Sequence, residues 1–188
     1  HFLDNGQISK LEGLNRDTIR FFQKSTNQNL LNFSLGKKIM LVEGNAEYIL
    51  MEKFFEMTHS KKPEDFNVSI ISVDGLSFER YLEITTCFLD KKVVVITDND
   101  SDYAGNVQSK YSSYQQFQNI KVSSDLDNNN RTFEICNYNN NKSVLDYLGL
   151  TKSKDLAGYM LREKAEFALR LLEQLETDSI SRKFVIPN

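Results

Sequence analysis

The chain has 188 residues and 40% hydrophobic content, enough for one domain with a substantial core. Its formal net charge of −3 differs from the basic surface that free-standing nucleic-acid-binding proteins usually carry. No apolar run approaches the roughly 20 residues that cross a bilayer, and no positively charged leader precedes an apolar segment. We therefore expect a soluble, cytoplasmic protein without membrane association, and the opening His1 indicates a piece excised from a longer chain.

The two cysteines and the two histidines do not form a metal-binding pattern. Cys87 and Cys136 lie far apart, and neither belongs to a CxxC or Cys/His spacing of the kind that binds zinc. His1 and His59 likewise have no partner at metal-ligand spacing. We expect buried thiols in a reducing compartment and histidines at the surface.

Residues 1–36 are mixed in character. Apolar residues between Leu11 and Phe33 predict one or two short helices, interrupted by a polar break at 25–29. We interpret residues 1–36 as a helical connector that leads from a missing N-terminal domain into the main domain.

Residues 37–125 alternate apolar runs with helical patterns. The predicted strands are 38–43, 68–73, 92–97 and 119–122, and the predicted helices are 45–58 and 78–85. Because the strands are joined through helices by right-handed crossovers, the sheet is expected to be mostly parallel. The segment 103–118 is polar, and 125–130 is expected to be a loop.

Beyond residue 130 the pattern changes, and we assign residues 126–188 to a C-terminal extension. The predicted elements are a short strand at 132–135, a turn at 137–141, a short helix at 143–148, a long amphipathic helix at 154–176 and an edge strand at 183–187. The lysine pairs at 37–38, 61–62 and 91–92 are expected to be solvated, with contact to a DNA backbone as the alternative.

Acidic residues follow two of the predicted strands. Glu43 ends the first strand, and Glu47 lies one helical turn later, so both can face one cavity. Asp98 and Asp100 follow the third strand and, as alternate residues, share one face. Ligands bind beyond the carboxyl ends of parallel strands, and Mg²⁺ prefers oxygen ligands. The four carboxylates therefore predict a site for one or two divalent cations.

Each acid also has an ordinary explanation. An aspartate after a strand is a common turn former or helix cap, so Asp98 alone does not distinguish a turn from a ligand. Glu47 alone would be an ordinary solvent-facing helix residue. The joint arrangement favours metal, and two ions about 3.5–4 Å apart support in-line displacement at a phosphodiester.

Two segments resemble the Toprim signature, the metal-binding core shared by topoisomerases, primases and several nucleases. They are Leu-Val-Glu-Gly-Asn-Ala-Glu at 41–47 and Ile-Thr-Asp-Asn-Asp at 96–100. Three further segments look like the C-terminal half of OLD-family (overcoming lysogenization defect) nucleases, which include the Gabija defence nuclease. These are Val-Asp-Gly-Leu-Ser-Phe-Glu-Arg-Tyr, Arg-Thr-Phe-Glu and Leu-Arg-Glu-Lys-Ala-Glu-Phe-Ala-Leu. The resemblance spans about residues 30–187.

The resemblance implies an α/β Toprim fold, a Rossmann-like, mostly parallel sheet flanked by helices, with a helical C-terminal extension. The Toprim core would be residues 37–125. The resemblance also implies that Mg²⁺ or Mn²⁺, in two ions, binds to an acidic set in which Glu43 is also catalytic. That set is Glu43, Glu47, Asp98, Asp100 and, in Thr-Phe-Glu, Glu134.

Lys164 matches the lysine with which these nucleases stabilise phosphate charge in the transition state. Without the resemblance it would be interpreted as a solvated helix residue. The implied activity is nicking or cleavage of DNA by two-metal phosphodiester hydrolysis, with water as the nucleophile. The implied partners are DNA, an N-terminal ABC-type ATPase domain in the full-length protein, a helicase and further copies of the chain, in ATP-regulated anti-phage defence. The chain itself contains no P-loop motif.

Two other functions stay open. The first is a non-catalytic Toprim domain that serves docking or oligomerisation. The second is a primase-type or topoisomerase-type module, against which the Lys164 segment argues. A topoisomerase needs a catalytic tyrosine, and proximity alone does not assign that role to Tyr81 or Tyr103.

Overall fold

The computed structural model describes residues 2–4, 7–9, 13–24, 28–75, 77–88 and 90–187. A short antiparallel hairpin comes first, formed by β1 (Phe2–Asp4) and β2 (Gln7–Ser9). Two helices follow, α1 (Arg16–Lys24) and α2 (Gln28–Leu35). The helices agree with the sequence, whereas the hairpin was not predicted. Leu11 and residues 25–27, part of the predicted pattern, lie outside the described residues.

The central sheet has four strands, all parallel. They are β3 (Lys38–Val42), β4 (Val68–Ser72), β5 (Lys92–Ile96) and β6 (Ile120–Ser123). Their order across the sheet is β4-β3-β5-β6, so β3 and β5 are the two central strands. The predicted α/β class and parallel sheet are thus confirmed, with each strand within one residue of its predicted position.

Helices connect the strands and build the C-terminal part. They are α3 (Asn45–His59), α4 (Phe78–Thr85), α5 (Phe133–Leu148), α6 (Leu156–Arg162), α7 (Lys164–Leu175) and α8 (Asp178–Ser181). Short 3₁₀-helical turns occupy Pro63–Phe66 and Ser112–Tyr114, and Ala104–Ser109 is π-helical. In the described part of the chain, no helix combines the length and apolar character that crossing a bilayer requires.

The hydrophobic core has two clusters. One joins the strands to α2 and α4 through side chains such as Phe33, Leu41 and Tyr81, all at most 1% exposed. The other joins α3 to the C-terminal helices, and its members include Leu50 and Phe167, both fully buried. The C-terminal extension therefore packs against α3, whose first turn carries one of the predicted acidic ligands.

The predicted short strand at 132–135 and turn at 137–141 were wrong, whereas the predicted helix at 143–148 is confirmed. Helix α5 runs from Phe133 to Leu148 with a kink at Asn141, whose φ of −130° and ψ of 21° are not helical. Thr132 caps it by accepting a hydrogen bond from the Ile135 N–H at 3.3 Å. The asparagines that predicted a turn donate instead to carbonyls of the preceding helical turn, as Asn137 does to Phe133 at 2.8 Å.

The predicted edge strand at 183–187 was also wrong, because this tail forms no strand in the structure. Asn141 binds it with a side chain instead of a sheet edge. The Asn141 amide donates to the Val185 carbonyl at 2.8 Å, and its oxygen accepts from the Val185 N–H at 2.7 Å. These two bonds satisfy the backbone groups that a strand partner would otherwise satisfy.

The predicted helix at 154–176 is interrupted at Glu163, whose φ of −116° and ψ of 49° are not helical. Lys164 consequently begins a new helix, α7, instead of lying in the middle of a long one. The segment 103–118, predicted only to be polar, contains the π-helical turn. The assignment of residues 1–36 as a connector stays a prediction.

Lys91 departs from the expectation that the lysine pairs are solvated. Its side chain is buried, with 3% exposure, and its ammonium donates to the carbonyls of Phe33 at 2.7 Å and of Gly36. It thereby satisfies acceptors at the C-terminal end of α2, where a positive charge also favours the helix dipole. Its neighbour Lys92 is exposed.

Replacing Lys91 with Met is expected to lower the free energy of unfolding by roughly 2–3 kcal/mol, because buried carbonyls would lose their donor. Chemical denaturation of the wild type and of the Lys91→Met variant measures this difference in the free energy of unfolding. Lys92→Met is the matched control and should change stability by less than about 0.5 kcal/mol. Equal effects of the two substitutions would show that Lys91 has no special structural role.

Candidate functional site

The predicted acids gather beyond the carboxyl ends of the two central strands. Glu43 directly follows β3, and Asp98 lies two residues beyond the end of β5. The two strands are paired in parallel, with Leu41 opposite Val95, so their ends meet at one edge of the sheet. This edge is where open parallel sheets bind ligands.

Two cavities open at this edge, and Asp98 lines both. The Glu43 cavity, of about 280 Å³, is lined by Glu43, Gly75, Ser77, Phe78, Thr97, Asp98, Asp100, Asn106, Lys110 and Tyr111. The Glu47 cavity, of about 180 Å³, is lined by Glu47, Met51, Phe54, Ile96, Thr97, Asp98, Ser123, Ser124, Asp125, Asn130, Thr132, Phe133, Cys136, Ile186 and Pro187. Asp98 is therefore the acid that connects the two halves of the site.

Glu43 and Glu47 do not share a cavity, contrary to the expectation from their spacing. Helix α3 begins at Asn45, so Glu43 lies before it and is exposed, whereas Glu47 lies in its first turn with 5% exposure. The Glu47 carboxylate accepts a hydrogen bond from the Gly44 N–H at 3.2 Å. Burial raises the pKa of Glu47, opposed by backbone hydrogen bonding, and the charge of Glu134 raises it further.

Asp98 is held at the start of α5. Its Oδ1 accepts a hydrogen bond from the Phe133 N–H at 2.7 Å, one of the helix's first amide groups. Burial raises the pKa of Asp98 to about 8, and the negative charges of Glu43, Glu47 and Glu134 act in the same direction. The positive charge of Lys164 opposes them only in part. Asp98 therefore lies where negative charge is in excess.

We expected Asp98 and Asp100 to share one face because alternate residues of an extended strand do so. The loop that carries them, however, is not extended. Both Asp100, with φ of 48°, and Ser101, with φ of 66°, have left-handed backbone. Asn99 is fully buried, and its side-chain amide donates to the carbonyls of Asp125 at 2.9 Å and Asp127 at 3.1 Å. The loop thus turns back, and both acids line the Glu43 cavity for this reason.

Glu134 and Lys164 meet through the C-terminal extension. Glu134 lies in the first turn of α5 and has no exposed surface, and its Oε2 lies 3.1 Å from the Nζ of Lys164. Among the described residues neither Oε1 nor Oε2 accepts a hydrogen bond in good geometry, so the contact of Oε2 with Lys164 is an ion pair and Oε1 has no partner. Lys164 begins α7 and is about half exposed.

The ammonium of Lys164 is within electrostatic range of three acids. Burial lowers its pKa, but the negative charge of the adjacent Glu134, together with the charges of Asp98 and Glu47, outweighs burial and raises it. Lys164 therefore stays protonated at neutral pH. It is not the freely solvated helix residue that the pattern alone would suggest.

The donor set suits a hard divalent cation. In the described part of the chain, no group of three or more His, Cys, Asp or Glu side chains is arranged to hold an ion by itself. Mg²⁺, however, is usually bound through one or two carboxylates, with water and substrate phosphate completing its octahedron. The excess negative charge at Asp98 and the unpartnered Oε1 of Glu134 both fit the approach of a cation.

Residues 35–100 match the family model described as Overcoming lysogenization defect protein-like, TOPRIM domain. These residues form an OLD-like Toprim domain. The matched segment contains Glu43, Glu47, Asp98 and Asp100, whereas Glu134 and Lys164 lie beyond it. The comparison with curated proteins gave no match. Toprim domains of this kind are metal-binding modules of the nuclease and primase type, and they generally bind divalent cations such as Mg²⁺.

Two residues of the site had no signal in the sequence. Asn99 looked like a spacer between two acids, yet its buried amide holds the loop that presents them. Lys110 lies in a polar stretch without periodicity, directly after a π-helical turn, and it lines the Glu43 cavity. Neither role can be inferred from the sequence unless the course of the backbone is known.

Replacing Asp98 with Asn is expected to stabilise the metal-free protein at pH 8 by up to about 5 kcal/mol, because the folded-state pKa of about 8 lies far above the ordinary value of 3.8 and each unit corresponds to roughly 1.4 kcal/mol. Below about pH 3 the carboxyl is mostly protonated in both states, so the two proteins should be nearly equally stable. As pH rises from about 3 to 8 the wild type loses stability and the variant does not. Denaturation across this range, in chelator, measures the difference.

The exposed Asp100→Asn is the matched control for this experiment, since Asn tolerates the left-handed backbone. It should change the stability of the metal-free protein little at any pH. A difference between Asp98→Asn and wild type that is independent of pH would contradict the charge argument.

Proposed function

We propose that the chain is the catalytic module of a metal-dependent DNA endonuclease that nicks or cleaves DNA by hydrolysis. One observation carries this proposal: a protonated lysine at the start of α7 reaches a group of acids at the edge of an OLD-like Toprim domain. A lysine beside acids that bind cations can stabilise the charge of a phosphate in the transition state.

Glu43, Glu47, Asp98, Asp100 and Glu134 would hold one or two Mg²⁺ or Mn²⁺ ions. When bound, such ions activate water and stabilise the leaving oxygen of a phosphodiester. Glu43 is exposed in its cavity and can accept a proton from the attacking water. Lys164 would donate to a phosphate oxygen, and its pairing with Glu134 orients it for this role.

Supercoiled plasmid incubated with the full chain and Mn²⁺ or Mg²⁺ is expected to be nicked or linearised, and chelator should abolish the activity. Asp98→Ala should reduce the rate at least about 100-fold, because Asp98 lines both cavities. Gel separation of the plasmid forms measures this. Absence of product from the wild type with either metal, or full activity of Asp98→Ala, would overturn the assignment.

Replacing Lys164 with Met is expected to reduce kcat by about 10²–10³, with a smaller change in KM, because the ammonium would act on charge that develops in the transition state. Lys142→Met is the matched control, since Lys142 is also an exposed lysine in an ion pair, with Asp146 at 2.9 Å. It should cleave at the wild-type rate. Thermal melting of each variant checks that the fold is retained, and equal loss in both would refute the role of Lys164.

One observation favours the non-catalytic alternative, a docking or oligomerisation domain. Glu134 already has a cationic partner in Lys164, so this acid does not need a metal for charge balance. If that pairing is purely structural, Lys164→Met should lower the melting temperature strongly while plasmid remains uncut by every form of the protein. A topoisomerase role for Tyr81 has no support, because Tyr81 is 1% exposed and packs among Phe22 and Phe33.

We further propose that the module works with an ABC-type ATPase domain, a helicase partner and further copies of the chain, in ATP-regulated anti-phage defence. The OLD-like match and the resemblance of the C-terminal segments support this part of the proposal. Co-purification of the full-length protein with its partners, followed by measurement of cleavage with and without ATP, tests it.

A further inference from the structure

Lys110 is a second lysine at the acidic site. It lines the Glu43 cavity together with Glu43, Asp98 and Asp100. Lys164 instead interacts with Glu134, Asp98 and Glu47. Asp98 is the acid common to both lysines, so each lysine serves a different half of the site.

A π-helical turn delivers Lys110 to the cavity. Residues Ala104–Ser109 are π-helical, and the Lys110 N–H continues the pattern by donating to the Gly105 carbonyl at 3.3 Å. The wider turn changes the direction of the side chains that follow it, and such turns occur frequently at functional sites. In this chain the turn leads directly from the loop that carries two of the acids.

The π-helical turn is anchored to that acidic loop. The Asn106 side-chain amide donates to the Asn99 carbonyl at 3.1 Å, and the Gly105 N–H donates to the Asp102 carboxylate at 3.0 Å. Asn106 also lines the Glu43 cavity. The backbone that leads to Lys110 is therefore held to the acidic loop by two hydrogen bonds between side chains and backbone.

The ammonium of Lys110 is positioned but has no counter-ion. It lies 5.2 Å from the ring centroid of Tyr111, which is buried. Within the described residues Lys110 forms no ion pair, although three carboxylates line the same cavity. An exposed ammonium held beside carboxylates that can bind cations is free to contact an anionic oxygen of a substrate.

We propose that Lys110 binds a phosphate of the nucleic-acid backbone next to the scissile one, so that the strand crosses Asp98 between Lys110 and Lys164. This inference rests on the proposed nuclease function and deepens it. A backbone contact positions the substrate without sequence preference. It also supplies local positive charge on a chain whose net charge is −3. Lys110 is thus a substrate-binding residue, and Lys164 is the one that acts in the chemical step.

Salt-dependent binding of a fluorescent DNA duplex to the full chain, with Ca²⁺ in place of Mg²⁺, tests the proposal. Lys110→Ala should weaken binding about 3-fold to 10-fold at moderate salt and should reduce the slope of log K against log salt by about 0.9, the loss of one phosphate contact. In cleavage assays KM should rise by a similar factor while kcat stays within about 2-fold. Lys110→Arg should restore binding.

Lys121→Ala is the matched control, because Lys121 is an exposed lysine on β6 that lines neither acidic cavity. It should leave both the slope and KM unchanged. Suppose that the wild type binds and cleaves DNA. If Lys110→Ala then keeps the wild-type slope of log K against log salt, or loses kcat instead of affinity, the role of Lys110 is refuted and the nuclease proposal stands. If the wild type neither binds nor cleaves DNA, the nuclease proposal fails, and the role of Lys110 fails with it.

Discussion

Excess negative charge around Asp98 is the constraint on which the site depends. Asp98 is partly buried and lies near three other acids, Glu43, Glu47 and Glu134, whose charges one lysine offsets only in part. Without a cation, such a cluster of like charges lowers the stability of the folded protein, so contacts elsewhere in the fold have to keep the acids in place. The backbone amide of Phe133 and the buried amide of Asn99 supply that support from two different segments.

The C-terminal extension therefore has a structural reason to belong to the same unit as the Toprim core. Helix α7 packs against α3 through fully buried side chains such as Phe167 and Leu171. That packing brings the first residue of α7, Lys164, to the acids that α3 and α5 present. The family match covers only residues 35–100, yet the packing adds Glu134 and Lys164 to the same site.

The sequence predicted the sheet well, and with it the placement of Glu43 and Asp98 beyond the ends of β3 and β5, because buried strands and the residues that follow them have strong local signals. It failed where tertiary contacts outweigh local preference. The asparagines of α5 favour turns, but their side chains bond within the helix and, at Asn141, to the tail. The helix break at Glu163 is marked by no proline or glycine, and Gly105 alone does not predict the π-helical turn before Lys110, so the effects of both features on the site required the structure.

Calorimetric titration of the full chain with Mn²⁺ tests the central claim most directly, since it asks whether the acids need a cation. The account predicts saturable binding of one or two ions per chain, lost when Glu47 and Asp98 are both replaced by their amides. A wild type that binds no Mn²⁺, or a double variant that binds it equally well, would contradict the account.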